Sequence, residues 1–330
     1  MTTYYGLYGQ KVQYLASDPT DVQIGQVWYN STSATLKVRQ DIATNAWASG
    51  GNLNNARDLN GQVGTQTASL AIGQAGPPPS TTVESYNGTS WTTAPSLGTA
   101  RYTAAGTGSQ TAGLLCGGLT GQPSIGNEQS ATEKFNGTSW TSSGNLNTAR
   151  FTLSAAGNTN TAVIAFGGFT GPSETAAAET FNGTSWTTVS PLGTAKRGMG
   201  AAGTQTAALG FGGYNSPSQI AATELWNGTS WTSGGNLNTA RRFLAGAGTQ
   251  TAGLASGGQT PTITGATELY NGTSWTNNPN SMNTARRILA GGGTQAAGLA
   301  IGGYDGPSVS AATEEFTGPG APVTRTITTS

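Results

Sequence analysis

The sequence predicts an all-β fold: a six-bladed β-propeller of four-stranded blades, its ring closed by pairing of N- and C-terminal strands. Three observations carry that prediction. Tryptophan recurs at Trp47, Trp91, Trp140, Trp186, Trp231 and Trp275, at intervals of 44, 49, 46, 45 and 44 residues. Five of these close the same word, Asn-Gly-Thr-Ser-Trp, at 87–91, 136–140, 182–186, 227–231 and 271–275. Each period also holds four short strand-like segments separated by turn residues. A repeat of this length built from short strands reads as one blade, which cannot bury its faces alone and must stack on its neighbours.

Residues 1–40 precede the repeats and read as an N-terminal attachment segment with a β-hairpin. Residues 41–316 carry the propeller, and 317–330 form a C-terminal tail. The unit from Leu146 to Trp186 shows how one blade is assigned. Phe151–Ala156 reads as a small-residue strand, turned at 157–160 into a second strand, Thr161–Phe166, that ends at Gly167-Gly168. Ala178–Phe181 is the third strand and Thr184–Thr187 the fourth. Asn182-Gly183 between them predicts a type I′ hairpin, since both central residues of that turn need positive φ. Ala104-Ala105-Gly106, Gly200–Gly203, Ala245–Gly248 and Ala290–Gly293 suit the innermost strand, where bulky side chains would collide at the axis. The tryptophans read as packing wedges between blades.

Each unit also repeats one acid and one base. The acids are Glu84, Glu133, Glu179, Glu224, Glu268 and Glu314, and the bases are assigned to Arg57, Arg101, Arg150, Arg197, Arg241 and Arg286. A catalytic carboxylate pair would not be copied around a ring, so Glu133, Arg150 and their counterparts read as structural ion pairs. The sixth unit lacks both Asn-Gly and Trp after Phe316. The segment around Trp47, from the other end of the chain, is expected to supply that strand. Thr35–Arg39 competes with Thr313–Phe316 for the third-strand position of the same blade.

Composition narrows function. Of 330 residues 8% are charged, 14 basic against 14 acidic, so no basic stripe exists to follow a phosphate backbone and nucleic acid is not expected as a partner. There is no histidine and a single cysteine, Cys116, in the apolar run Leu114-Leu115-Cys116; it reads as a buried small hydrophobe. No segment is long and apolar enough to predict membrane insertion, and no signal peptide is apparent. No catalytic constellation, metal cluster or cofactor motif is present, and the chain is read as non-enzymatic. Carboxylates outside the repeated position, at Glu128, Glu174, Asp305 and Glu315, are the residual acid–base candidates. The Asn-Gly-Thr triplets and Asn30-Ser31-Thr32 match glycosylation sequons, but their turn chemistry explains them.

The order Gly-Gly, aromatic, Trp over about residues 41–316 resembles the Kelch and galactose-oxidase-like propellers, although Tyr86 and Trp91 are closer in sequence than the Kelch pattern has them. The copper chemistry of galactose oxidase does not transfer, because it needs histidines. Gly25-Gln26-Val27-Trp28-Tyr29-Asn30, followed by Leu36-Lys37-Val38, resembles a hairpin of virion proteins of marine and cyanobacterial bacteriophages, with Gln26 in place of an acidic residue. The resemblance implies a phage structural protein located in the virion, of tail-fibre type, contacting a host surface glycan. The alternatives are a capsid or tail decoration protein, or a free carbohydrate-binding lectin. It further implies that residues 1–40, with Tyr4, Tyr5, Tyr8, Tyr14 and Trp28, dock to other virion proteins, and that the chain forms homo-oligomers in the particle. Recognition is expected in the loops that vary between repeats. There Phe169, Tyr214 and Tyr304, each directly after Gly-Gly, could stack on sugar rings.

Overall fold

The computed structural model describes residues 12–19, 26–41, 45–58, 61–74, 79–121, 126–318 and 322–327. The chain divides into two compact units: Ala46–Phe316, and Met1–Asn45 together with Thr317–Ser330.

The larger unit is all-β and propeller-like. Its described residues form four-stranded antiparallel sheets, here numbered 1 to 6. Sheet 1 is Gly61–Gly64, Ser69–Gln74, Ser80–Tyr86 and Trp91–Ala94; sheet 2 is Ala105–Ser109, Ala112–Cys116, Thr132–Phe135 and Trp140–Ser143. Sheet 3 is Ser154–Thr159, Ala162–Phe166, Ala178–Phe181 and Trp186–Val189; sheet 4 is Gly200–Gly203, Ala208–Phe211, Thr223–Trp226 and Trp231–Ser233. Sheet 5 is Ala245–Gly248, Gly253–Ser256, Thr267–Tyr270 and Trp275–Asn278. Sheet 6 joins Ala290–Gly293, Ala297–Ile301 and Thr313–Thr317 to Ala46–Ser49 as its fourth strand. Trp47 thus takes the place that the missing sixth copy leaves open, its ring 5.1 Å from Phe316. Thr313–Thr317 fills the contested third position, while Thr35–Asp41 pairs elsewhere.

First strands pack on first strands of the neighbouring sheets, Ala290–Gly293 against Gly61–Gly64 included. Small residues are required there: a Cβ on Gly246 would lie 2.3 Å from the Ala201 carbonyl oxygen, and one on Gly291 2.6 Å from Ala245 Cβ. Second strands are buried along their length, as in Val163–Phe166 of sheet 3, where all four side chains are at 0% exposure. In sheets 1, 3 and 5 the fourth strand buries its tryptophan and exposes the threonine beside it, whereas Trp140 and Trp231 of sheets 2 and 4 are half-buried. Apolar clusters therefore form between sheets. Leu114 and Cys116 of sheet 2, for example, pack with Val163, Phe181 and Trp186 of sheet 3.

Two polar devices lock these interfaces. The indole N–H of Trp47, Trp91, Trp186 and Trp275 donates to the hydroxyl of Thr267, Thr313, Thr132 and Thr223, respectively, at 2.9–3.0 Å, each threonine lying on the third strand of the preceding sheet. The hairpin after each first strand sends an amide back to the preceding sheet. Gln205 Nε2 donates to Val163 O and Phe181 O, Gln250 Nε2 to Ala208 O and Trp226 O, and Gln295 Nε2 to Gly253 O and Tyr270 O. Gln66 of sheet 1 does the same to Gly298 O and Phe316 O of sheet 6.

The repeated acids and bases meet within each sheet: Arg57 with Glu84, Arg101 with Glu133 at 2.8 Å, Arg150 with Glu179 at 3.1 Å, Arg241 with Glu268 at 3.1 Å, and Arg286 with Glu314 at 2.7 Å. In sheet 4 the buried base is Lys196, 3.1 Å from Glu224, and not the expected Arg197. Counting from the shared Thr-Ala dipeptide places Lys196 in register, so the base assignment is corrected by one residue. The other carboxylate oxygen of each Glu accepts the backbone N–H following a buried Leu or Met, as from Asn147 at 2.6 Å and Asn283 at 2.6 Å. This arrangement explains why Leu-x-Thr-Ala-Arg recurs at Leu97–Arg101, Leu146–Arg150 and Leu237–Arg241. Burial pushes every one of these cations toward its neutral form, and the facing glutamate opposes that push.

The Asn-Gly turns are not type I′. Only the glycine has positive φ (97° at Gly183), and the Asn182 side-chain oxygen accepts the N–H groups of Thr184 and Ser185 at 3.0 and 2.9 Å. The loop therefore holds four residues between Phe181 and Trp186, and the fourth strand starts at Trp186. The first strand of sheet 3 likewise starts at Ser154, three residues later than expected.

In the smaller unit, Gln13–Leu15 runs parallel to Val27–Asn30, which forms a hairpin with Thr35–Asp41. Pro322–Ile327, expected as part of a tail, is the fourth strand and pairs antiparallel with Thr35–Asp41. Asp18 organises the hairpin: it accepts Trp28 Nε1 at 3.0 Å and Asn30 Nδ2 at 2.7 Å, and pairs with Lys37 at 2.6 Å. These hydrogen bonds and the Lys37 charge hold its carboxyl at about 2.

Candidate recognition site

The loop end of the larger unit is built from the residues that follow each buried base. Tyr102, Phe151, Arg197, Arg242 and Arg287 each pair with the residue after Gly-Gly in the same sheet: Leu119, Phe169, Tyr214, Gln259 and Tyr304. The next residue turns into the left-handed region, at Thr103 (φ 53°), Thr152 (49°), Gly198 (62°), Phe243 (55°) and Ile288 (52°). That conformation is costly for threonine, phenylalanine and isoleucine. It is held by one chain of backbone bonds from sheet to sheet: Thr152 N–H to Thr103 O, Gly198 to Thr152, Phe243 to Gly198 and Ile288 to Phe243, at 2.7–2.9 Å.

Just inside lies an open cavity of about 170 Å³, walled by Leu153, Met199, Phe243, Leu244, Ile288 and Leu289 among others. Two narrower cavities of about 120 and 110 Å³ follow along the first strands, and glycine and alanine from all the sheets line the last of them.

Beside the largest cavity the paired residues form a girdle in which Leu119, Phe169, Tyr214 and Gln259 each also meet the next sheet. Tyr102, Leu119 and Phe151 pack together, and Phe151 meets Phe169 edge-on at 5.4 Å. The Arg197 guanidinium lies 4.3 Å from the Phe169 ring centre and 5.3 Å from that of Tyr214. Arg242 follows, 4.5 Å from Tyr214 and 5.2 Å from Phe243. Arg287 donates to Gln259 Oε1 at 2.7 Å and lies 5.1 Å from Tyr304. The girdle is apolar on one side and cationic on the other.

Phe169, Tyr214 and Tyr304 thus occupy equivalent positions in sheets 3, 4 and 6. Their faces, however, are taken up by arginines, so they support guanidinium groups and are not open platforms for sugar rings. Sequence reasoning gave Arg197 a structural role and missed Arg242 and Arg287. The signal was the doubled base in three successive units, Lys196-Arg197, Arg241-Arg242 and Arg286-Arg287, of which the first member is structural.

The charges are unevenly balanced. Arg197 has Glu174 at 3.4 Å, and Arg287 acts on the Asp58 carboxyl, which burial pushes up. Among the described residues Arg242 has no carboxylate partner, and its Nε is buried without a hydrogen-bond acceptor. Burial and the charges of Arg197 and Arg287 push the Arg242 guanidinium down from its usual value, while Tyr214 opposes them.

The residual acids are engaged singly. Glu128 accepts Gly126 N–H, Asp305 accepts Ser308 N–H, and Glu315 accepts the Tyr86 hydroxyl at 2.6 Å. Of the expected attachment residues, Tyr14 is 75% exposed and stacks on Tyr29, whereas Trp28 is fully buried against Asp18 and cannot serve as a docking surface. Tyr4, Tyr5 and Tyr8 lie outside the described residues. No protein-family model and no curated protein matches the chain.

Proposed function

We propose that the chain is a non-catalytic recognition protein of a bacteriophage particle, of tail-fibre type, in which a closed six-bladed β-propeller presents its loop end to a glycan of the host surface. What carries the reading is the contrast between the two ends of the sheets. The hairpin end is nearly uniform, and its Gln or Asn amides are committed to neighbouring sheets. The loop end carries residues that differ from sheet to sheet around an open mouth, which is where a rigid scaffold places recognition. Closure of the ring is supported by the packing of Ala290–Gly293 on Gly61–Gly64 and by Gln66, which reaches Gly298 O and Phe316 O.

The virion assignment rests on the hairpin resemblance around Trp28. In this reading the unit that contains the hairpin attaches the chain to other virion proteins, and Tyr14 is its exposed aromatic contact. Immunogold labelling of intact particles locates the chain, and adsorption assays with added purified chain test its role. Labelling at the tail with competitive loss of adsorption is the expected outcome. Labelling over the capsid with undiminished adsorption would make it a decoration protein, and no labelling at all would remove it from the particle.

A further inference from the structure

We infer that the cationic side of the girdle, centred on Arg242, is a binding site for the carboxylate of an acidic sugar, such as a uronate or sialate residue within a polysaccharide. The inference rests on the glycan-recognition reading above and names the ligand class for the same face. Three guanidinium groups line consecutive sheets, held in place by Phe169, Tyr214 and Tyr304. Arg197 and Arg287 have acceptors of their own in Glu174 and Gln259, which fixes them beside Arg242. Arg242 lies between two cations and against Tyr214 and Phe243, and no acid of the described chain neutralises it. A planar guanidinium whose side chain is immobilised by aromatic rings gives up little freedom on binding, and its fork fits a carboxylate.

Arg242 does not itself line the cavity, but the Phe243 ring beside it does, and this continuity argues for a compact ligand that bears the carboxylate. Its wall, with Phe243, Leu244, Ile288 and Leu289, suits the apolar face of one sugar ring, and its volume of about 170 Å³ is too small for a folded peptide segment. An extended peptide would instead need backbone partners. The N–H and C=O groups at 152, 198 and 243 are committed to one another in the sheet-to-sheet chain of bonds. Recognition therefore falls to side chains, and to the guanidinium groups above all.

The test is calorimetric titration of the full-length chain with galacturonate, glucuronate and sialate oligosaccharides, with a neutral galactose oligosaccharide, an Asp/Glu-rich peptide and inorganic phosphate as comparisons. At least one acidic oligosaccharide is expected to bind, more weakly as salt is raised, with the neutral sugar inert. Arg242→Gln should weaken that binding by roughly tenfold to a hundredfold. Arg242→Lys should recover part of it, and Tyr14→Ala should leave it unchanged. Thermal melts of each variant separate lost binding from lost folding, and Arg197→Gln provides a second variant if Arg242→Gln unfolds. Failure of all three acidic oligosaccharides to bind would overturn the inference, as would binding indifferent to Arg242→Gln and Arg197→Gln, or preference for the peptide or phosphate. Binding of the neutral sugar alone would overturn this inference while supporting the glycan reading, so the two fail separately.

Discussion

Cys116 shows how far a single residue's chemistry follows from its place. Its thiol is at 0% exposure between sheets 2 and 3, and burial pushes it up to about 12 from 9.0. The native thiol is therefore inert at neutral pH, and a thiol reagent should label it only as fast as the fold opens. The same shift predicts alkaline behaviour. The unfolded chain loses this proton above 9.0 while the folded chain keeps it to about 12, so stability falls as pH rises through that interval. Tyr86 adds to the loss: burial and its hydrogen bond to Glu315 raise its phenol from 10.0 to about 12. Urea unfolding followed from pH 8 upward should show stability declining from about pH 9, and Cys116→Ala should flatten the first part of the decline. Constant stability to pH 11 would contradict both assignments. The burial of Cys116 was legible from its apolar neighbours. That Lys196 and not Arg197 is the buried base was legible only from exact register, and the extra arginine hid it.

At the scale of the strand, the repeat explains its own exceptions. Four tryptophans donate to a threonine on the preceding sheet, while the indole nitrogens of Trp140 and Trp231 are buried without a partner. The residue before the glutamate in those preceding sheets is Val83 in sheet 1 and Ala178 in sheet 3, where the others carry Thr132, Thr223, Thr267 and Thr313. Val83→Thr and Ala178→Thr should each restore the missing acceptor at a site that already holds threonine elsewhere in the molecule. Each is expected to stabilise by about 0.5–1.5 kcal/mol, the net value of a buried hydrogen bond. Val83→Thr is the cleaner test because the two side chains are nearly isosteric. A fall in melting temperature for both variants would show that burying the hydroxyl outweighs the new bond. Strand order and the wedge role of tryptophan were legible because they recur. The turn type was not: Asn-Gly is compatible with several hairpins, and the Asn182 side chain, which accepts two backbone N–H groups, decides the matter.

For the whole molecule the question is whether the sheets close on themselves, and here sequence could point but not decide. The absent Trp of the sixth unit and the spare Trp47 indicated which ends meet. The girdle was hard to read, because its continuity comes from contacts between units: Arg197 pairs with Tyr214 inside one sheet, but it meets Phe169, and Arg242 meets Tyr214, only across sheets. Closure also has an energetic signature. Gln250 Nε2 donates to Ala208 O and Trp226 O across sequence separations of 42 and 24 residues. Gln66 makes the equivalent pair to Gly298 O and Phe316 O across 232 and 250. In a closed ring both seams are equally protected, so Gln66→Ala and Gln250→Ala should destabilise alike, by about 1–3 kcal/mol, because each strands partly buried carbonyls. In an open ring the Gln66 seam would be frayed and its substitution nearly neutral. Kinetics should still separate the two variants, since contacts between distant parts of the chain tend to form late. Gln66→Ala is expected to speed unfolding with little change in the folding rate, whereas Gln250→Ala should slow folding as well. Equilibrium denaturation of both variants, followed by stopped-flow unfolding, measures each quantity. A Gln66→Ala chain as stable as the parent, beside a weakened Gln250→Ala chain, would leave the ring open.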